Sequence, residues 1–285
     1  LDRLALLRDA KRVGYVFSGG SSRCAFQIGV IEALAELGVR PSLAIGVSAG
    51  AWNAAIVAAR IESRIRYYWR SFMRMPRVDL RNLLVDHSPW RFRQMHKRTF
   101  ERFIGNERLR RADALPLFIS VTRLRDSANV IFNARDVDDP LELLLATNYL
   151  PPFYTHRPRI SGEAYGDGGV SDNAPYEKAL AEGCDAVVVA AQKGESEGGL
   201  FKKKNDYEHI VTDPRVIVIR PRHRLPVSFT EQRWDVLDDL ARIGYLRTRE
   251  SLLGEDHIET YVRAEGEAPS ARARRILRAI IPRSL

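Results

Sequence analysis

Residues 41–59, PSLAIGVSAGAWNAAIVAA, run from a short apolar segment through a glycine-bounded turn into a row of small residues. The apolar segment suits a buried strand, and the alanine-rich run suits a helix packed closely against it. The same plan appears just upstream. Val13 to Phe17 reads as a buried strand, and FSGGSSRCAFQIGVIEALAELG (17–38) turns from it into a helix with Phe26, Gly29, Val30, Ala33, Leu34 and Leu37 at helical spacing, ended by Gly38. Two consecutive strand–turn–helix units predict an α/β protein with a doubly wound, mainly parallel sheet.

Downstream, residues from about 61 to 111 read as helical and basic, with aromatics mixed into WRFRQMHKRTFERF (90–103), and are expected to cap the sheet's edge. Strands are expected over Leu117 to Thr122 and Asn129 to Phe132, and a helix from Pro140 to Asn148. LPPFYTHRPRISGEAYGDGG (150–169) reads as a long loop, and long loops commonly carry function. A helix near Pro175, strands at Ala186 to Ala191 and Val216 to Ile219, a polar glycine-rich segment at 192–206 and a long helix from about Thr230 to Leu253 complete the pattern. One domain over 1–285 is expected, with a basic helical cap at about 61–111 and a C-terminal helical extension at about 228–285.

The chain has 285 residues, 45% of them hydrophobic, enough for a packed core. No apolar stretch approaches the roughly 18 residues of a spanning helix, and LDRLALLRDAKR lacks the apolar centre of a signal peptide. The chain opens on Leu1, and a processed or excerpted sequence is expected; a soluble or peripheral cytoplasmic protein is expected, in contact with the inner membrane surface. Cys24 and Cys184 have no metal-ligand spacing and are expected as buried thiols in a reducing compartment. A formal charge of +9, from 45 Lys and Arg against 36 acids, favours anionic partners such as phospholipid or nucleic acid. Two basic segments, 90–103 and the amphipathic SARARRILRAII (270–281), are candidate docking elements, each with the plainer reading of a packed helix showing a solvated charged face.

GVSAG (46–50) matches the G-x-S-x-G elbow, a sharp strand-to-helix turn that lifts a serine hydroxyl clear of the sheet. Gly46 and Gly50 allow the tight turn, and the field of the helix N-terminus favours negative charge at Ser48. A serine needs a base. Among six histidines only His257 lies late enough for a Ser, Asp, His order, and residue 48 leaves room for too few strands ahead of an α/β-hydrolase elbow. The other candidate is Asp167 in YGDGGVSDNAP, where glycines on both sides permit close approach; an Asp with its ordinary pKa near ~3.9 needs burial to serve as a base. The bland alternative there is a D-G turn between strands. The first turn, Gly19 to Arg23, could hold a phosphate, another anion or an oxyanion; a nucleotide loop would want Lys and Ser/Thr after its glycines, and GGSSRC lacks that order.

In order along the chain, SGGSSRCAFQIGVIEALAE, AIGVSAGAWNA, ATNYLPPF and YGDGGVSDNAPYEKALAEGCDAVVVA resemble the patatin-like phospholipase family. The resemblance covers most of residues 13–191 and implies a three-layer α/β/α fold and hydrolysis of lipid acyl esters by a Ser–Asp dyad without histidine. It implies Ser48 as nucleophile, Asp167 as base, Gly19, Gly20, Ser21, Ser22 and Arg23 as the oxyanion loop, and neither cofactor nor metal. The family's G-G-G-x-R-G reads here as Gly19, Gly20, Ser21, Ser22, Arg23 and Cys24, so Ser21 and Cys24 stand where glycines are usual. Arg23 would orient the loop, meet a phosphate, or form an ordinary salt bridge at the helix start; Asn173 and Pro175 match N-x-P with a structural turn role. The expected activity is of phospholipase A or lysophospholipase type on phospholipid or another acyl lipid. The alternative is a weak or inactive protein of the same fold that binds nucleic acid or a partner through the basic-aromatic segment.

Overall fold

The computed structural model describes residues 2–151, 153–154, 157–195, 212–228 and 231–254. Strands β1 (Val13–Phe17), β2 (Leu43–Val47), β3 (Leu117–Arg123), β4 (Asn129–Asn133), β5 (Arg159–Ile160), β6 (Glu163–Asp167), β7 (Ala186–Ala190) and β8 (Val216–Ile219) form one mixed sheet. Its order is β5-β6-β3-β2-β1-β7-β8, with β4 paired to β3 off that path. The pairs from β3 through β2, β1 and β7 to β8 are all parallel, while β4, β5 and β6 pair antiparallel. The expectation of a mainly parallel sheet is therefore met, with an antiparallel corner that the sequence reading did not contain.

Burial on both faces explains which strands are parallel. β1, β2 and β7, with sequences VGYVF, LAIGV and AVVVA, are buried at every position, as strands covered by helices on both sides must be. Tyr15, Phe17 and Val188 enter one core with the helices Phe26–Glu36, Gly50–Ala58 and Trp234–Leu253. Val16, Leu43 and Val187 enter the other, with Tyr176 and Ala179 of the helix Tyr176–Ala181. Two cores on opposite faces of one sheet make the three layers α/β/α. β4, half exposed, is an edge strand.

The helix Trp234–Leu253 is an integral part of one layer rather than an appendage. It crosses Phe26–Glu36 with backbones in contact: a Cβ at Gly29 would overlap the Ala241 carbonyl, and one at Gly244 would overlap that of Phe26. The remainder of the expected C-terminal extension, including the 270–281 segment, lies outside the described residues, as does most of 192–206.

The region read as one loop at 150–169 contains the β5–β6 hairpin. Ser161 and Gly162 form its two-residue turn with φ of 49° and 84°. Left-handed φ at both positions suits the twist of the flanking strands. Ser-Gly between RI and EAY was the available signal; the prolines and glycines around it concealed it.

Candidate active site

The carboxyl ends of β1, β2 and β7 converge at the strand where the sheet changes direction of growth, the usual place for a site in an open α/β sheet. Ser48 follows β2 directly and has φ of 50°, the strained turn that projects its hydroxyl. Both flanking glycines are required by close approach. A Cβ at Gly46 would meet the backbone of Ala51, and one at Gly50 would lie 2.5 Å from the carbonyl oxygens of Phe17 and Ser18.

The strained backbone of Ser48 is bonded on both sides by one neighbouring segment. Its N–H donates to Thr147 Oγ1 at 2.8 Å, and Asn148 Nδ2 donates to its carbonyl at 3.2 Å. The Thr147 hydroxyl in turn donates to the Ser120 carbonyl at 2.6 Å. The next residue serves Asp167, whose N–H donates to the Tyr149 carbonyl at 3.3 Å. Thr147, Asn148 and Tyr149 therefore bond to both residues of the candidate dyad.

Asp167 reaches Ser48 through strand register. β2 pairs with β3 up to Val47 opposite Ser120, and β6 pairs with β3 from Asp167 opposite Val121. β4 occupies the other edge of β3 over the same residues, so β6 takes up the edge that β2 vacates. Ser48 Oγ donates to Asp167 Oδ2 at 2.6 Å. Oδ1 accepts the Gly169 N–H at 2.8 Å, and Thr122 Oγ1 donates to the Asp167 carbonyl at 2.7 Å. Burial raises the Asp167 carboxyl to about 6, while the bonds from Ser48 and Gly169 pull it downward. The D-G turn and the carboxylate beside the serine are thus one feature, since Gly168–Val170 is the turn that closes β6.

The Gly19–Arg23 turn abuts the elbow, for a Cβ on Gly19 would stand 2.7 Å from Ser48 Cβ. Its members differ in what their amides do. Gly19 N–H donates to Asn173 Oδ1 at 2.8 Å, and Asn173 Nδ2 returns a bond to the Gly19 carbonyl at 3.2 Å. The N–H of Arg23 donates to the Gly20 carbonyl at 3.2 Å. Gly19 and Arg23, both expected as oxyanion donors, have amides that are engaged in holding the turn. Asn173, read as a turn residue, is the clamp on Gly19. Behind the turn a buried amide network fixes it further: Gln27 Nε2 donates to the carbonyls of Ser18 and Ala190 at 2.8 and 2.9 Å, and Gln192 Nε2 bonds to the Gly19 carbonyl.

The two replaced glycines behave differently. Cys24 sits within a 3-10 turn, fully buried and without positive φ, so a side chain is accommodated there. Ser21 has φ of 54°, where glycine is favoured. Cys24 and Cys184 are both free and buried. For Arg23 no carboxylate partner is seen among the described residues, and its buried Nε has no hydrogen bond, so the ordinary salt-bridge reading is not met.

Ser48 and Asp167 open onto a cleft of about 740 Å³, mouth included, walled by Trp52, Trp69, Phe72, Phe92 and Tyr154, with Arg77 and His96 in the same wall. Much of this wall comes from the segment read as a basic surface. The helix Phe92–Phe103 buries Met95, His96, Thr99, Phe100 and Phe103 and turns its charges outward. The packed-helix reading of 90–103 therefore holds, and its aromatics are committed to the interior. His96 stacks on Trp52 at 4.3 Å and lies 4.4 Å from Phe72; burial and the nearby Arg77 lower its pKa to about 3, so it stands neutral. Arg77 donates to the Glu231 carbonyl at 2.8 Å and lies over the Phe92 ring, and burial lowers it to about 10. Both residues were missed as site residues. The spacing of Phe92, His96, Thr99 and Phe103 was the signal, a helical stripe hidden among arginines.

His257, the candidate triad base, and His156 lie outside the described residues. Among the described residues no cluster of three or more His, Cys, Asp or Glu could hold a metal ion, and no helix is long and apolar enough to cross a membrane.

A family model described as patatin-like phospholipase matches residues 15–180. The chain belongs to the patatin-like phospholipase family. The matched span carries the turn at 19–23, the elbow and Asp167. Among solved structures, VipD from Legionella pneumophila is similar at 14% identity and a TM-score of 0.50, covering 86% of this chain and 67% of its own. The type III effector protein ExoU is similar at 14% identity and a TM-score of 0.41, covering 85% of this chain and 53% of its own. The likeness to VipD bears on the fold alone, and this patatin-like chain spans about half the length of ExoU. No curated protein matches.

Proposed function

We propose that this patatin-like protein is a serine acyl hydrolase of phospholipase A or lysophospholipase type, acting through Ser48 and Asp167 as a dyad. The observation that carries the reading is the 2.6 Å bond from Ser48 Oγ to a half-buried carboxylate at the foot of an aromatic cleft. Family membership supports a lipid ester as substrate.

As Ser48 Oγ bonds to the ester carbonyl carbon, its proton passes to Asp167 Oδ2, and the carbonyl electron pair moves onto oxygen. A carboxylate raised to about 6 is still ionised at neutral pH and is a stronger base than an exposed one. The oxyanion is received by amides of the 20–22 turn and of Ala49; one such donor commonly accounts for about 3 kcal/mol of the barrier. Collapse breaks the ester C–O bond, and the proton on Asp167 leaves with the alcohol. Water then enters, gives its proton to Asp167 and attacks the acyl-serine, and the second collapse frees the fatty acid and returns the proton to Ser48. No step calls on a metal or cofactor.

The acyl chain fits the aromatic wall, and Arg77, a cation in that wall, suits the phosphate of a glycerophospholipid or lysophospholipid. Two buried free thiols fit a reducing compartment, and we place the protein in the cytoplasm, peripheral to the inner membrane surface, as one domain. The reading as a nucleic-acid or partner-binding protein loses support because Met95, Phe100 and Phe103 are buried and offer no stacking face. The test is release of free fatty acid from phosphatidylglycerol and its lyso form, followed by mass spectrometry, for wild type and Ser48→Ala. Release by wild type and none by Ser48→Ala is expected; equal release by both would reject the assignment.

A further inference from the structure

Eight large apolar side chains are exposed among the described residues, and four of them fall within seven positions: Val78 at 51%, Leu80 at 72%, Leu83 at 45% and Leu84 at 88%. Such clustering on an otherwise charged surface marks an interaction site. The loop that carries them is ordered and closed at its base. Val78 bridges Trp90 antiparallel, Asp79 N–H donates to the Pro89 carbonyl at 2.9 Å, and Arg91 N–H donates to the Arg77 carbonyl at 2.8 Å. Inside the loop Asn82, buried, donates to the carbonyls of Ser88 and Trp90 at 2.9 and 2.7 Å. Polar bonds fill the interior of the loop, which holds the leucines outward.

The base of this loop is the rim of the cleft. Arg77 and Phe92, on either side of it, line the cleft with Ser48. Trp90 packs on Phe92 at 5.9 Å and on Phe153 at 5.3 Å between ring centroids. The charges around the leucines are one-sided: residues 74 to 93 hold five arginines against two aspartates. Those aspartates are already paired, Asp79 with Arg91 at 3.8 Å and Asp86 with Arg93 at 3.2 Å. Arg74 and Arg81 are exposed, and no carboxylate pairs with either among the described residues.

We propose that the 78–90 loop docks on an anionic phospholipid bilayer, with Leu80, Leu83 and Leu84 entering the headgroup–acyl boundary and Arg74 and Arg81 meeting lipid phosphates. Apolar side chains flanked by basic ones, on an element that does not span, form the pattern of interfacial binding. Docking in this pose turns the cleft rim toward the lipid, so a substrate molecule would enter past Trp90 and Phe92. The docking is separable from catalysis, and only its effect on turnover rests on the hydrolase reading above.

The test uses the full chain carrying Ser48→Ala, sedimented with vesicles of phosphatidylcholine alone or mixed with phosphatidylglycerol. We expect binding to the mixed vesicles only, weakened about tenfold or more by Leu80→Asp with Leu84→Asp, and less steeply by Arg81→Glu. In the wild-type background the double leucine variant is expected to keep its melting temperature and its rate on a water-soluble butyrate ester, while losing hydrolysis of vesicle lipid in proportion to binding. Unchanged vesicle binding by the leucine variant would overturn the proposal. So would a wild-type dimer in light scattering that the variant dissolves without any vesicle effect, which would assign the patch to a second copy of the chain. Because binding is read on the Ser48→Ala protein, it stands or falls apart from whether the chain hydrolyses esters.

Discussion

Val47 of β2 and Asp167 of β6 occupy successive positions on one edge of β3, opposite Ser120 and Val121. One strand ends where the other begins, and the residue after Val47 is the serine. Residues 119 apart in sequence are brought to hydrogen-bond distance by strand register, so the contact between Ser48 and Asp167 rests on the sheet itself.

Ser48→Ala and Asp167→Asn should each lower kcat for fatty-acid release by about a thousandfold or more, and the double variant should be no worse than either single one, since the two act as a unit. Additive losses would mean that the residues work separately.

The base must be ionised, so kcat/KM should rise with pH through about 6 and then level off. An inflection near the ordinary carboxylate value would contradict the buried environment of Asp167. The same shift acts on stability. Because the folded carboxyl binds its proton more tightly than the unfolded one, its ionisation opposes folding above pH 6 and has no such effect below the unfolded value near ~3.9. Asp167→Asn should therefore stabilise the fold at pH 8 by an amount on the order of 1–2 kcal/mol after loss of the Ser48 bond, seen as a higher melting temperature, and stabilise it less at pH 4. Paired thermal melts at the two pH values check this.

Thr147→Val keeps the shape of the side chain but removes the acceptor for Ser48 N–H and the donor to Ser120. A loss of about 1–3 kcal/mol in stability is expected, with a fall in kcat, and Thr147→Ser should restore both. Melts and rates that do not differ between Val and Ser would remove the role assigned to this hydroxyl.

Ser21→Gly relieves a left-handed φ of 54°, worth about 0.5–1 kcal/mol after the added freedom of the unfolded chain. Activity should be kept or raised. Gly50→Ala, by contrast, forces a methyl against two carbonyl oxygens and should destabilise far more. Denaturant midpoints for the two variants should move in opposite directions.

His96→Phe preserves the stack against Trp52 and Phe72 while removing both ring nitrogens. Turnover of a short ester should stay within a few-fold of wild type, because a neutral imidazole in the wall takes no proton in the dyad mechanism. A thousandfold loss in the pH profile's plateau would restore histidine as a candidate base.

The local pieces of the site were legible in the sequence because each is a short backbone device: GVSAG must turn, and GGSSR and DGG must approach other chain closely. The meeting of those pieces was not legible, since it depends on β6 pairing antiparallel along β3, and nothing between 149 and 167 spells out a register. Arg77 and His96 were hidden for another reason. The arginines around them gave the segment the average character of a surface, while in the helix Phe92–Phe103 the buried positions, Met95, His96, Thr99, Phe100 and Phe103, form a stripe broken by charged residues. The bond from Gly19 N–H to Asn173 was not legible because the two residues lie 154 positions apart.

Thr147, Asn148 and Tyr149 bond to Ser48 on one side and to Asp167 on the other. A shared tether of this kind converts disturbance into common-mode movement. A shift of the tripeptide would thus act on alcohol and carboxylate together, not on one of them alone.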